Sequence, residues 1–411
     1  MMLLSENRHI THMDLDTFFV SVEHLRNSKL KGKPILIGGM SDRGVVASCS
    51  YEARKFGIHS GMPMRAALRL CSHATVVKSD FEAYSRYSKI VTEIIRDQVP
   101  LFEKASIDEF YVDLTGMDRF FGCRKFSDEL KKKVLKESGL PISYGLASNK
   151  LISKVATNEV KPNGQLEIPF GSEKIFLAPL SVMKIPGIGK ETGLKLLKMG
   201  VETVKILSEI PVMMMHNLLG KNGIELHRRA NGIDETPVIP YREQQSISTE
   251  RTFDSDTIDL VFLYRELVRM TEKIAFELRS QGKLTGCVSV KIRYSDFQTE
   301  QKQLSIAYTA MDQVLQKEVK MLFDRLYDRR QLIRLIGVRF SDLIAGTYQV
   351  NLFDDTQEAI KLYQAIDSVK AKYGEHYLIS AGGCETKKVT QPTPGGRLRA
   401  QKFKLSGGTS S

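Results

Sequence analysis

The sequence predicts an α+β protein that carries two β-α-β-β-α-β units. Three observations support this. Apolar residues alternate with period two in short runs and recur at helical spacing in longer ones, and the two patterns follow the same order twice, over about 10–160 and about 246–341. Gly and Pro punctuate the runs, as at Pro100, Gly139, Pro141 and Lys161-Pro162-Asn163-Gly164. The 411 residues exceed one ordinary domain and suggest two to four.

In chain order, Ile10, His12 and Asp14 alternate with Met13 and Leu15, a strand that ends in acid. Phe18, Val22 and Leu25 then take helical spacing. The intervening turn offers free backbone N–H groups beside carboxylates, a place able to hold phosphate. Residues 34–37 and 45–47 read as buried strands. Tyr51 starts a short helix stopped by Gly57, Gly57 and Gly61 bracket a turn, and Pro63 opens a helix through Leu70. Residues 17–80 thus look like an insertion of small elements. An amphipathic helix at about 81–98, a strand at 102–107, the Asp108-Glu109 break, a strand at 110–114, a helix at 124–137, a strand at 142–147 and a helix at 150–160 follow. Without the insertion this is the ferredoxin-like order. Residues 173–238 read as a small helical domain, in which the Met213-Met214-Met215 run is expected to fill core. Residues 239–245 read as a linker. The second unit has strands at 246–253, 286–294, 301–308 and 332–341 and helices at 257–281 and 313–328. A helix at 356–373 follows, and the tail 381–411, with six Lys/Arg against one Glu, is expected to be disordered.

The bulk properties narrow the function. A formal charge of +12 favours a polyanionic partner, although the excess is mostly diffuse. Five scattered cysteines without a CxxC argue against a zinc site or a disulfide framework and suit a reducing compartment. No apolar run reaches membrane-spanning length and residues 1–9 contain no signal-peptide core, so an intracellular, cytoplasmic protein with no membrane partner is expected.

The chemistry concentrates on Asp108 and Glu109. Adjacent carboxylates repel and are costly to desolvate, so a cation, most naturally Mg²⁺, accompanies them where they are not simply an acidic surface turn. In a ferredoxin-like sheet the third strand lies between the first and second and runs antiparallel to both. Asp14, ending the first strand, and Glu109, beginning the third, then share one sheet edge. Elsewhere, Ile185-Pro186-Gly187-Ile188-Gly189-Lys190 reads either as a helix-hairpin-helix whose amides face a DNA phosphate or as a glycine-rich connector. In the second unit Val288, Val290 and Ile292 alternate with Ser289, Lys291 and Arg293. The basic face suits either a phosphate backbone or solvent, and charge alone does not choose between them.

Taken together, HMDLDTFFVSVE (12–23), SYEARKFGI (50–58), ASIDEFYVDLT (105–115), KPNG (161–164) and IPGIGK (185–190) resemble the Y-family DNA polymerases of the DNA polymerase IV type, over about residues 8–345. The resemblance implies a palm (1–16 and 81–172), fingers (17–80), a thumb (173–238), a linker (239–245) and a little finger (246–345). It also implies template-directed addition of dNTPs to a primer 3′ end by two-metal phosphoryl transfer. Asp14, Asp108 and Glu109 match the catalytic and metal-binding triad, and Leu15 would add its backbone carbonyl. Two Mg²⁺ ions are implied, with Mn²⁺ able to substitute. Asp16 is expected to be structural. Ser48, Tyr51, Arg54 and Lys161 and the amides of Phe18 and Phe19 are implied in nucleotide binding, with the Arg54 fork suited to phosphate oxygens. Phe19 matches the steric gate against a ribose 2′-hydroxyl. Gly187, Gly189, Lys190, Lys291 and Arg293 are implied in DNA binding.

The family often has Thr-Ala-Asn before its YEAR motif, where this chain has Ser48-Cys49-Ser50, which puts details of nucleotide contact in doubt. Gln349-Val350-Asn351-Leu352-Phe353 resembles the peptide that docks on a bacterial sliding clamp, with Gln349, Leu352 and Phe353 as its anchors; the alternative is a loop with a partly buried Leu-Phe pair. Residues 346–380 thus comprise this peptide and a C-terminal helix. A short fingers segment and no room for an exonuclease imply low-fidelity, distributive, monomeric translesion synthesis without proofreading. Two other readings stand beside this one: another palm-fold enzyme such as a nucleotidyl cyclase, and a catalytically inactive DNA-binding scaffold.

Overall fold

The computed structural model describes residues 8–117, 122–240, 243–346, 356–374 and 378–383. The chain divides into two compact units, Met1–Glu243 and Gln244–Ser411.

In the first unit β1 (Ile10–Leu15) runs into α1 (Phe18–Arg26), then β2 (Ile35–Gly38), β3 (Val46–Cys49), α2 (Tyr51–Arg54), α3 (Met64–Leu70) and β4 (Thr75–Val77). Next come α4 (Phe81–Arg96), β5 (Phe102–Lys104), β6 (Glu109–Asp113), α5 (Cys123–Ser138), β7 (Ile142–Ala147), α6 (Lys150–Glu159) and β8 (Gln165–Glu167). Asp80 caps α4 by accepting from the Ala83 amide at 3.1 Å, and Asn149 caps α6 by accepting from the Ile152 amide at 3.0 Å. The main sheet has the order β5-β6-β1-β7-β8. Once the inserted β2, β3 and β4 are set aside, the third strand is β6, and it lies between β5 and β1, antiparallel to both. β2 is the centre of a separate three-stranded sheet, flanked by β3 and β4.

Alternation along β1 decides what lies on each side. Met13 and Leu15 enter the core with Phe110 and Val112 of β6 and with residues of α4 and α5. His12 and Asp14 take the opposite face, where α6 packs. Phe18, Val20 and Val22 of α1 also enter the main core, so that core extends past the boundary expected at residue 17. α6 is held from two sides. It packs on β1 and β7, and its Leu151, Ile152 and Val155 join a core with the helical segment beyond residue 173.

That segment contains α7 (Glu173–Leu177), α8 (Lys190–Lys198), α9 (Val204–Glu209), α10 (Val212–Leu219) and α11 (Lys221–Ala230). Met215 is fully buried, but Met213 and Met214 are 65% and 62% exposed, so only one methionine of the run fills core. Successive helical residues lie 100° apart, and one buried face cannot hold all three. The stretch beyond starts docked. Val238 packs on Ile10 and Tyr111, and the Ile239 amide donates to Glu103 Oε2 at 2.9 Å.

The second unit comprises β9 (Ser246–Thr257), α12 (Leu260–Ser280), β10 (Lys283–Tyr294), β11 (Thr299–Thr309), α13 (Asp312–Leu326), β12 (Ile333–Ala345) and α14 (Thr356–Tyr373). The element order repeats that of the first unit, but the strand order is β11-β10-β12-β9, so the second and fourth strands are central rather than the first and third. β9 continues to Thr257, where the sequence reading begins the helix. α12 and α13 pack on the sheet, and α14 is tied to them through Arg279. The Arg279 side chain, 4% exposed, donates to Asp367 at 2.7 and 2.8 Å and to Asp312 at 2.6 Å, and lies over the Tyr363 ring. The tail expected to be disordered from residue 381 begins instead with a 3₁₀ turn, Ala381–Gly383, and Arg269 Nε donates to the Gly383 carbonyl at 2.6 Å. The remaining tail and the 349–353 peptide lie outside the described residues.

Removing Arg279 would leave Asp312 and Asp367 without their shared cation. Arg279→Ala is therefore expected to lower the unfolding free energy of this unit by about 3 kcal/mol, read from denaturant midpoints.

Candidate active site

The site forms where β1 ends and β6 begins. Asp14 is the direct cross-strand partner of Glu109. Asp108 precedes it in a turn closed by the Ala105 amide on the Glu109 carbonyl at 3.0 Å, and the Leu15 amide donates to the Asp108 carbonyl at 3.1 Å. Because that turn covers residues 105–108, β5 stops at Lys104 rather than at the expected 107. Ser106 shapes the turn: its hydroxyl accepts from the Asp108 and Glu109 amides and donates to Asp108 Oδ1 at 2.6 Å. Backbone pairing thus brings Asp14 and Glu109 together, whereas the Asp108 carboxylate, in the adjoining turn, is engaged by Ser106 and lies outside the His12, Asp14 and Glu109 group.

Two ammonium groups meet the cluster. Lys161 Nζ lies 2.5 Å from Asp14 Oδ1, and Lys154 Nζ donates to Glu109 at 2.8 and 2.6 Å. Asp14 is 5% exposed. Burial pushes its pKa up to about 7; Lys161 opposes that rise, and the charges of Glu109 and Asp108 add to it. His12 Nδ1 lies 2.9 Å from Thr157 Oγ1, and Thr157 directs its hydroxyl at the carbonyls of His12 and Ser153. Thr157 Oγ1 therefore accepts from Nδ1–H, which leaves the Nε2 lone pair facing Glu109 Oε1 at 4.0 Å. Burial, then the charges of Lys154, Lys161 and Lys150, holds His12 well below its ordinary pKa.

Among the described residues His12 Nε2 is enclosed without a hydrogen-bond partner. Ligand atoms of His12, Asp14 and Glu109 lie within 4.8 Å of one another. Closely set carboxylate oxygens with an unsatisfied ring nitrogen beside them fit a hard divalent cation. Asp16 differs. Its carboxylate accepts from Ser143 Oγ at 2.8 and 3.0 Å and from the Asn163 amide at 2.7 Å, so it fastens β1 to the 161–164 loop.

The other predicted residues fall around this edge. α1 begins at Phe18 without a side-chain cap, so its first-turn amides, which no helix satisfies internally, are not met by a capping side chain either. Phe19 stacks on Tyr84, with centroids 4.2 Å apart and an interplanar angle of 13°, and meets Phe81 edge-on. The Tyr84 hydroxyl donates to Glu23 at 2.9 Å. Burial raises the Tyr51 pKa; the charge of Asp16 adds to the rise, Arg54 opposes it and Asp14 adds a smaller share. Arg54 lies over the Tyr51 ring at 5.0 Å and is otherwise exposed. Ser48 is buried in β3 opposite Ile37.

Gly187, at φ 97°, and Gly189 join a short 3₁₀ turn (Val182–Lys184) to α8, and Lys190 is exposed at its start. Arg229 Nη1 donates to the Pro186 carbonyl at 2.8 Å and fills the space a Gly187 Cβ would need. In the second unit Glu250 pairs with Lys291, which makes that face less basic than its sequence, while Arg293 donates to the neutral Thr299 hydroxyl at 2.8 Å and keeps its charge.

Sequence reasoning missed Tyr84, Ser106, His12 and Lys154. The Lys150/Lys154 spacing on α6 was the available signal for the last.

Comparison with known proteins gives this site a context. Residues 13–158 match the impB/mucB/samB family and residues 244–352 match its C-terminal domain. DNA polymerase IV of Dehalococcoides mccartyi is 38% identical over 371 residues, 89% of this chain and 95% of that protein. DNA polymerase IV of Exiguobacterium sibiricum is 36% identical over 342 residues, 82% of this chain and 95% of that protein. Among solved structures, a Y-family DNA polymerase chimera matches with a TM-score of 0.73 and 25% identity, covering 82% of this chain and all of that one. The chain belongs to the Y-family of DNA polymerases, and within it to the DNA polymerase IV type. It is a DNA-directed DNA polymerase of translesion synthesis and DNA repair, acting on primer-template DNA and dNTPs. No described helix is long and apolar enough to cross a membrane.

Asp16→Ala would strand the Ser143 hydroxyl and the Asn163 amide. It is expected to cost about 2–3 kcal/mol of stability, read by chemical denaturation.

Proposed function

We propose that this chain performs low-fidelity translesion synthesis by two-metal phosphoryl transfer, with Asp14, Asp108 and Glu109 as the metal-binding triad. The observation that carries this is the pairing of Asp14 with Glu109 across β1 and β6, with Asp108 in the adjoining turn. When bound, two Mg²⁺ ions, replaceable by Mn²⁺, supply acidity to the primer 3′-hydroxyl and countercharge to the triphosphate and leaving pyrophosphate. Asp14, Asp108 and Glu109 would hold these ions, and the Leu15 carbonyl would add an oxygen donor. Lys161, Arg54, Tyr51, Ser48 and the Phe18 and Phe19 amides hold the nucleotide phosphates. Phe19 sets its ring beneath the sugar, and Tyr84 backs it. Gly187, Gly189 and Lys190 offer backbone and charge to a DNA phosphate, and Lys291 and Arg293 do so from the second unit.

The division into palm, fingers, thumb and little finger belongs to the same reading. So do action as a monomer in the cytoplasm, absence of proofreading, and attachment to a sliding clamp through Gln349, Leu352 and Phe353.

Primer extension with Mg²⁺ and dNTPs tests the central claim. Wild type is expected to extend, and the Asp108→Ala, Glu109→Ala double variant to lose at least about 10³-fold in rate; full extension by the variant would refute the assignment. Phe19→Ala is expected to admit ribonucleotides in the same assay, and unchanged exclusion would remove Phe19 from the gate role.

A further inference from the structure

We propose that Lys154 is a positioning residue of the acid cluster: its ammonium is the counter-ion of Glu109 in the ion-free protein and yields that place when a divalent ion binds. The inference rests on the reading of Asp14, Asp108 and Glu109 as a metal site.

α6 presents Lys150 and Lys154 one turn apart to the sheet edge. The two lysines are held differently. Lys150 is 7% exposed; its ammonium donates to Glu103 at 2.7 Å and lies 4.5 Å from the centre of the Tyr111 ring. Glu103 also accepts the Ile239 amide, so that pair belongs to the framework. The Lys154 side chain is 27% exposed, and its ammonium straddles both oxygens of Glu109 at 2.8 and 2.6 Å. It therefore occupies one approach to the carboxylate that a divalent ion would use.

Electrostatics explains why a cation belongs there. Asp14 and Glu109 are cross-strand partners with Asp108 alongside, and Asp14 is almost fully buried. Like charges this close in a partly buried site repel strongly. Lys161 neutralises the Asp14 side and Lys154 the Glu109 side. The long, partly exposed lysine stem lets the ammonium withdraw toward solvent while α6 stays packed on both sides. The unpartnered His12 Nε2, 4.0 Å from Glu109, marks unused polar capacity beside the place the ammonium would leave.

Competition for one carboxylate has two linked consequences. Without Lys154 the ion-free protein is less stable, because the three carboxylates lose a counter-ion. For the same reason a divalent ion binds more tightly. A lysine that only braces α6 would weaken the protein equally with and without the ion.

The test uses full-length, DNA-free protein, with Lys154→Met, Lys154→Arg and the surface control Lys132→Met. Mn²⁺ binding is titrated by electron paramagnetic resonance, and thermal melting is followed with and without saturating Mn²⁺. Lys154→Met is expected to bind Mn²⁺ roughly tenfold more tightly than wild type. It should melt below wild type without the ion and level with it when saturated. Lys154→Arg should restore the ion-free melting temperature, and Lys132→Met should change neither readout. Unchanged or weaker Mn²⁺ binding by Lys154→Met would overturn the proposal, as would a melting deficit that persists at saturation. Absence of Mn²⁺ binding by wild type would overturn the metal-site reading and this proposal with it, whereas normal wild-type binding confines any failure to Lys154.

Discussion

The register between β1 and β6 is the constraint on which the site depends. Ile10 faces Asp113, His12 faces Tyr111 and Asp14 faces Glu109. Side chains alternate along a strand, so a slip of one residue would carry Asp14 to the opposite face. The alternation is enforced from the other side of the sheet. Met13, Leu15, Phe110 and Val112 are essentially fully buried in one core, and the wrong register would expose them while burying charge. The energy that holds the acids together therefore comes from apolar packing behind them. The backbone then extends the order a step further, since the Leu15 amide reaches the Asp108 carbonyl and Ser106 binds the amides of both acids in the turn.

Asp14 and Asp16 show how partners separate two carboxylates that lie two residues apart. Asp16 is 1% exposed yet saturated with donors from Ser143 and the Asn163 amide. Asp14 has one ammonium and two neighbouring anions; burial first, and the anions after it, raise its pKa against the pull of Lys161. A buried group with complete hydrogen bonds serves the framework, whereas one with a charge deficit is suited to an external cation. The ammonium groups that partly offset the deficit come from α6 and the loop after it. α6 is clamped between the sheet and the helical segment, so their origin is fixed even where their tips are not.

The strand order of the first unit and the meeting of Asp14 with Glu109 were legible because alternation, glycine and proline breaks and the β-α-β-β-α-β order are local signals. The second unit shows the limit of such signals. The same element order there puts the second and fourth strands at the centre, and periodicity says nothing about which strands become neighbours. Tyr84 was hidden for a similar reason. Its sequence spacing marks a helix face, but its stacking on Phe19 and its bond to Glu23 join segments far apart in the chain. Arg269 likewise reaches the Gly383 carbonyl across 114 positions, a tie that composition does not reveal, which is why the turn at 381–383 was read as tail.

Charge on the second unit must be weighed by partners rather than by count. α12 and α13 cover one face of its sheet, and α14 lies against them. The opposite face carries Ser246, Ser248, Glu250, Ser289, Lys291, Gln301 and Arg339 around a cavity of about 270 Å³. Glu250 already neutralises Lys291 there, so a phosphate approaching that lysine competes with a carboxylate. The hydroxyls and amides of the same face carry no such cost. Their neutral hydrogen bonds remain available at any salt concentration, whereas lysine and arginine contacts to phosphate weaken as salt rises. For the DNA contact proposed for this face, polar side chains would fix position and a reduced share of the binding would rest on charge.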